Sequence, residues 1–562
     1  MKKLAALLLV LTLVLSMAAC GAKTNGPSED PAANETTEAL KEEETASNVT
    51  VNDSTAVQEK TEIDQSKTYK DTIVVSFQGD AETLDVQNQN DTTTIQYCLH
   101  LFDTLFHFGA DGTPEPFMVE DDYSISDDHL TWTFTLKEDL KFAKGNPLTT
   151  KDVVASLNRP LEDHSLVVYA FLQSIEKVEA VDERTFTITT YEPYGPMLSS
   201  LCQFSSAILD AEYLAKYDKD TINRDYESCN ASGPYQLVSW DPGNEMVLVR
   251  NENYMGKLAA TENLIFKPIT DANARLAALE TGEVDYVSYM GTEQTAVVEG
   301  NDDYKVEITG HTGMRVFRFG CNDPIISNTK VRQALVYAID TEAINKALFG
   351  DQWIECTGPM TPGSFGYYNY GPIKQDLEKA KQLLAEAGYP DGFETKIVAS
   401  ERYAKSPQIA EAMAAMFLEI GVKAEVEVME ISALRATWQG LTPEEFDEPM
   451  FVMGLACGTR DADSAYNMLY TTTTDGTNMG TNYGFYSNAE VDELIAKAQT
   501  SVDQEERAEL YKRAGEIMYL EDPTQICIHN QVNVGIMSAK CSGVVCTIHG
   551  AIMCDQAVVE AD

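Results

Sequence analysis

Residues 130–137 read Leu130-Thr131-Trp132-Thr133-Phe134-Thr135-Leu136-Lys137. Lys141-Phe142, Gly145 and Lys151-Asp152-Val153-Val154-Ala155-Ser156-Leu157-Asn158-Arg159 follow. In the first run Leu130, Trp132, Phe134 and Leu136 alternate with threonines, the period-two pattern of a half-buried strand. Phe186 and Ile188 repeat that pattern, and Thr72–Phe77 and Met246–Val249 read as further strands. Helical spacing takes over later in the chain. Val331, Ala334, Leu335 and Ala338 follow Thr329 on one helix face. Asp376 precedes Leu377, Ala380, Leu383, Leu384 and Ala387, with Gly388 and Pro390 as the stop. Asn488 and Asp503 stand before two more helices. Strands mixed with helices give an α/β or α+β body.

The chain has 562 residues with 41 Lys+Arg against 89 Asp+Glu, a formal charge of −48. Neutralising phosphates requires clustered Lys and Arg, so nucleic acid is excluded as a partner. Adhesion to an anionic membrane surface is disfavoured for the same reason. Seven histidines leave little for a multi-His metal site. No Walker A, G-x-G-x-x-G, H-E-x-x-H or G-x-S-x-G pattern occurs.

Lys2 and Lys3 precede an apolar run, Leu4–Ser16, which is too short for a spanning helix of about 20 residues. Met17-Ala18-Ala19-Cys20 follows. The pattern is that of an export signal, and its end resembles the lipobox of bacterial lipoproteins, with Met17 where Leu is usual. That resemblance implies cleavage before Cys20, lipid on its sulfur, and an extracytoplasmic protein held at the bacterial cell membrane. Residues 20–68 are rich in Glu, Thr, Asn, Ala and Ser, and are expected to be a disordered acidic tether. The ten further cysteines are scattered. Cys541, Cys546, His549 and Cys554 lack paired zinc-ligand spacing, and residues 544–548 read better as a strand. No metal or cofactor is expected.

The stretch quoted above resembles the family-5 extracellular solute-binding proteins, the peptide- and nickel-type receptors of ABC importers. Further blocks carry the likeness in order: Gly233-Pro234-Tyr235 with Trp240 and Val249-Arg250-Asn251, Lys330–Leu335 through Ala338-Ile339-Asp340, Leu377 through Phe393, and Tyr486-Ser487-Asn488 with Val491, Asp492 and Arg507. Arg332 and Asp340 in these blocks are expected at a helix surface and a cap. The resemblance implies an α/β, two-lobed, periplasmic-binding-protein-like fold with a ligand cleft between lobes. Residues 69–316 would form lobe I, with an extra subdomain at about 109–214. Residues 317–524 would form lobe II, and 525–562 would return to lobe I. Closure would bury a ligand, and a permease and ATPase would import it. The implied protein is a monomer and not an enzyme.

Peptide receptors of this family often hold a ligand ammonium with an Asp in a G-W-x-A-D-Y-x-D-P segment. Here Gly454-Leu455-Ala456-Cys457-Gly458-Thr459-Arg460-Asp461-Ala462-Asp463 stands in its place, with Gly458 at the anchor position. This stretch, and Asn90-Asp91-Thr92, look more like the family's glutathione-binding branch. Asp461 is then the expected ammonium contact, and Arg315 or Arg460 the expected carboxylate contact. Arg315 and Arg318 lie three apart on a strand-like run and so face opposite ways. Tyr97, Phe204 and Trp438 are candidates for an apolar part of the cleft. The implied ligand is a short peptide, glutathione or another γ-glutamyl compound. The alternatives are a nickel chelate, haem or small cationic compound on the same fold, and a secreted hydrolase using paired carboxylates.

Overall fold

Trp132 and Phe134 sit opposite Ile188 and Phe186 in an antiparallel pair, all fully or nearly fully buried. Their strands, Thr131–Thr135 and Thr185–Thr190, are the middle of a four-stranded sheet completed by Ser124–Ile125 and Ile175–Ala180. The helix Thr150–Glu162 starts at a Thr149–Asp152 capping box and lays Val153 and Leu157 on the same core. The computed structural model describes residues 49–52, 64, 66–89, 91–109, 112–437, 441–442, 445–473, 482–547 and 550–561. This first sheet has its own apolar core, drawn from Leu105 to Ile208.

A second, larger sheet runs through the rest of the body. Its central order is Met450–Ala456, Tyr304–Phe319, Gln525–Ser538, Tyr286–Val287, Thr72–Phe77 and Asn263–Pro268. Glu394–Ala399 and Lys423–Val428 extend it at one end, Glu245–Arg250 and Tyr235–Asp241 at the other. Two long antiparallel strands, Tyr304–Phe319 (16 residues) and Gln525–Ser538 (14 residues), connect two different cores. Val306, Ile308, Val534 and Ile536 pack in one, and Phe317, Phe319, Ile526 and Ile528 in the other. Their register shifts between Gly310, opposite Val532, and Met314, opposite Asn530.

The chain therefore changes lobes near His311–Gly313 and Gln531. The boundaries drawn from sequence, after Val316 and before Gln525, are displaced. Ile526 and Ile528 still belong to the second core. The physical reason is that each crossing strand is continuous, so no turn or polar break marks the change.

Helix ends follow their local chemistry. Asp376 accepts from the Lys379 amide at 2.9 Å to start Leu377–Glu386, and Gly388 turns the chain beyond that helix at φ +95°. Asn488 caps Ala489–Thr500, Asp503 caps Gln504–Glu516, and Asp340 caps Thr341–Phe349. Arg332 departs from the expected helix surface. It is buried, its Nη1 donates to the Ile326 and Ser327 carbonyls, both at 2.8 Å, and it pairs with Asp522. It thereby ties the helix Thr329–Tyr337 to the segment entering the crossing strand.

The tether expectation also needs correction in one place. Val49–Asn52 form a strand parallel to Val306–Thr309. Cys20 and the rest of the signal and early tether lie outside the described residues. Val545–Cys546 do form a short strand, against Ile552–Met553. His549 lies outside the described residues, and among those described no group of three or more His, Cys, Asp or Glu is placed to hold a metal. The cysteines from Cys98 to Cys554 are free thiols. Among the described residues no helix is long and apolar enough to cross a membrane.

Candidate functional site

Arg315 leaves the crossing strand just after the register shift. Its direct cross-strand neighbours are His529 on one side and Gly454 on the other. Gly454 matters here because a Cβ at that position would stand 3.2 Å from Arg315 Nη1. The guanidinium lies over the Tyr403 ring, 5.0 Å from its centroid. Arg315 is only 3% exposed, yet its Nε and Nη1 have no hydrogen-bond partner. Arg318 differs. It donates to Gln525 Oε1 and the Leu469 carbonyl, both at 3.2 Å, beneath Tyr470.

Two histidines accompany Arg315. His529 Nδ1 is 2.7 Å from Asn345 Oδ1, and Asn345 Nδ2 donates to the Ile528 carbonyl, so the imidazole proton is on Nδ1. His311 Nδ1 accepts the Gly313 amide at 2.9 Å, which leaves its proton on Nε2. Burial lowers His311 to about 4 and His529 to about 3, with the Arg315 charge adding to both. Burial also lowers Arg315 to about 10, with the Tyr403 hydroxyl opposing and Arg402 adding to the shift. Both imidazoles are thus neutral near pH 7 beside one buried cation. An unpaired buried charge is costly, and a carboxylate with hydrogen-bonding capacity removes that cost.

The Cys457–Asp463 loop has a different task. Asp461 caps the helix Ala462–Tyr470 by accepting from the Asp463 amide at 3.0 Å. The same Oδ1 receives Arg507 Nη2 at 2.7 Å, and Oδ2 receives Ser199 Oγ at 3.0 Å. The expected ammonium contact at Asp461 is thus corrected to a buried structural pair, because the carboxylate is 0% exposed and holds three donors from the protein. Arg460 is corrected likewise: its guanidinium binds the Gly363 carbonyl and lies over the Phe108 ring. Cys457 is buried, with its thiol pushed up to about 12 by burial. Gly458 is exposed, and its carbonyl accepts from Gln203 Nε2 at 2.7 Å.

These contacts tie the four-stranded subdomain to the Cys457–Asp463 loop. Ser199 and Gln203 belong to the four-stranded subdomain, while Asp461 and Gly458 belong to the second lobe. The Gly195 amide adds a bond to the Gln499 carbonyl at 2.8 Å. At another point Gln352 Nε2 reaches Thr295 Oγ1 at 2.9 Å. A small apolar pocket adjoins the loop, lined by Met314, Met360, Leu455, Ala456, Cys457 and Tyr470 among others. Met314 and Arg315 are consecutive on one strand, so pocket and guanidinium occupy opposite faces.

Asp91, expected at the ligand, caps the helix Thr92–Leu101 through Oδ1, which accepts from the Thr93 and Thr94 amides at 3.0 and 2.8 Å. Thr92 is exposed at that helix start. Asn90 and Trp438 lie outside the described residues. Tyr97 is core, its hydroxyl donating to the Gly79 carbonyl, and Phe204 packs against that core. Sequence reasoning missed His311, His529, Tyr403, Ser199 and Gln203. No motif marks them. A histidine four residues before Arg315 was the one available hint.

Residues 113–477 match the family described as bacterial extracellular solute-binding proteins, family 5 Middle. The glutathione-binding protein GsiB of Salmonella typhimurium is 30% identical over 453 residues, covering 80% of this chain and 87% of that protein. The structure of HbpA2 from Haemophilus parasuis superposes with a TM-score of 0.77 at 25% identity, covering 87% of this chain and 100% of that one. DppA from Helicobacter pylori, solved with the peptide STSA, superposes with a TM-score of 0.67 at 24% identity, covering 87% of this chain and 98% of that one.

Proposed function

The chain belongs to the family-5 bacterial extracellular solute-binding proteins, and from that membership we propose that it is the receptor of an ABC importer for a short peptide carrying a free carboxylate, with glutathione or a γ-glutamyl compound as the first candidates. The observation that carries this reading is the buried Arg315 guanidinium with two unpartnered nitrogens beside neutral His311 and His529. The ligand carboxylate supplies the missing counter-charge. His311 Nε2–H adds a donor, and His529 Nε2 offers an acceptor to a ligand N–H. Cys20 is the proposed lipid attachment point, and the working form is a monomer that docks on a permease served by a cytoplasmic ATPase. Capture requires no covalent step by this chain.

Thermal unfolding of the full chain against glutathione, di- to hexapeptides and peptide amides tests the proposal. A ligand at 100 times its dissociation constant stabilises by about 2.7 kcal/mol. The expected pattern is a shift with glutathione that disappears when the carboxylates are amidated and in the Arg315→Met chain. An equal shift with the fully amidated compound overturns the carboxylate reading. Loss of membrane retention in a Cys20→Ser strain is the expected result for the anchor, and unchanged retention counts against it.

A further inference from the structure

The crossing strand Tyr304–Phe319 has two edges. Along one it pairs with Gln525–Ser538 for most of its length. Along the other, Met450–Ala456 pairs only with residues Gly313 to Phe319. The first half of the strand would thus show a row of unpaired N–H and C=O groups in the middle of a sheet. Such an edge is a template for pairing with any extended chain. Val49-Thr50-Val51-Asn52 occupies it in parallel, with Val49 beside Val306, Thr50 beside Glu307, Val51 beside Ile308 and Asn52 beside Thr309. The sequence suits the place. Alternating Val and Thr favours a strand, within a segment otherwise rich in Glu, Ala and Ser.

A second fastening lies further along. The Lys70 amide donates to the Val559 carbonyl and the Ala561 amide to the Thr68 carbonyl, both at 2.9 Å. Lys67 pairs with Glu560. The polypeptide ahead of the body is therefore held at two points. One is beside the lobe crossing, and the other is on the chain's last residues.

We propose that residues 49–52 are a built-in edge strand, through which the N-terminal segment docks in cis on the first lobe beside the hinge. Whatever holds Cys20 then holds the first lobe and leaves the second free to swing. The pairing ends at Thr309, before the register shift between Gly310 and Met314. Lobe opening and closure therefore leave the docked strand intact.

Hydrogen exchange on the full chain tests this without any ligand. Within residues 49–52 the amides that face Val306–Thr309 should exchange at least tenfold more slowly than in a free peptide of the same sequence. Their protection should be independent of protein concentration. Adjacent strand residues point their amides to opposite edges, so Thr50→Pro with Val51→Pro must remove an inward donor. That variant keeps the Val49 and Asn52 amides; it should lose protection at whichever of the two faces the first lobe and gain exchange at 304–310, with its melting temperature within a degree or two of the parent. Cysteines placed at the registered pair Thr50 and Glu307 should cross-link within one chain on mild oxidation, a readout that does not depend on the proline variant. Exchange at the free-peptide rate, or cross-linking only between chains, overturns the proposal.

Discussion

Asp461 and Arg507 form an ion pair at 2.7 Å in which the two side chains are 0% and 1% exposed. Arg507 Nε also holds the Ala498 carbonyl at 2.9 Å, and the guanidinium lies over the Phe365 ring. Ser199, from the opposite lobe, donates to the second Asp461 oxygen. One carboxylate thus caps a helix, neutralises a buried cation and receives a bond across the lobe interface. Asp461→Asn should destabilise the protein by about 3–5 kcal/mol, because it leaves Arg507 buried and unpaired. Asp461→Asn with Arg507→Met should recover part of that loss. Denaturant unfolding of the parent, both singles and the double checks this; additive losses would mean the two side chains are not coupled.

Arg315 should behave in the opposite way. Arg315→Met removes a buried cation that lacks partners on two nitrogens, so the ligand-free protein should be as stable as the parent or more so. Affinity for a carboxylate ligand should fall by two orders of magnitude or more, within the 2–5 kcal/mol seen when one side of a buried charge pair is truncated. Calorimetric titration and thermal melts on the same preparation separate the two effects. A large loss of stability would assign Arg315 to the scaffold.

Asp463 is 6% exposed, its Oδ1 has no partner, and burial with the adjacent Asp461 charge pushes its carboxyl up to about 7. Between an ordinary pKa near 4 and that value, the folded state keeps a proton that the unfolded chain releases. Asp463 therefore makes stability fall as pH rises through this window, by at most about 1.4 kcal/mol per pH unit. His100 and His311, lowered to about 4, and His529, lowered to about 3, act with the opposite sign below about pH 6.5. Asp463→Asn isolates the first effect. Its stability advantage over the parent should grow from pH 5 to 7 and then level off. An advantage that is flat with pH would contradict the assignment.

Gly458 receives Gln203 through its carbonyl, and a Cβ there would lie 3.4 Å from Phe171 Cε1 in the opposite lobe. Alanine fits at ordinary contact distance. Valine pushes its extra carbons toward the Phe171 ring and opposes closure. Gly458→Val should weaken ligand binding about tenfold, roughly 1.4 kcal/mol, with little change in the unliganded melt. Unchanged affinity would show that this contact does not limit closure.

What the sequence alone determined is the local grammar. The Thr131–Thr135 alternation, the Asp376, Asn488 and Asp503 caps and the Gly388 turn depend on neighbours within a few residues, and they fall where the pattern predicts. The ordered blocks also carried the family. The tertiary structure decided which polar side chains are already committed. Asp461 and Arg315 look equally available in the sequence, but Asp461 meets Arg507 from a distant helix, while Arg315 faces Gly454 and His529 with two nitrogens unpaired. Caps and periodicity arise from bonds within a turn or two of chain, whereas charge compensation depends on which distant segments pack together. The docked Val49–Asn52 strand has the same origin: its partner edge is exposed only because Met450–Ala456 begins its pairing late.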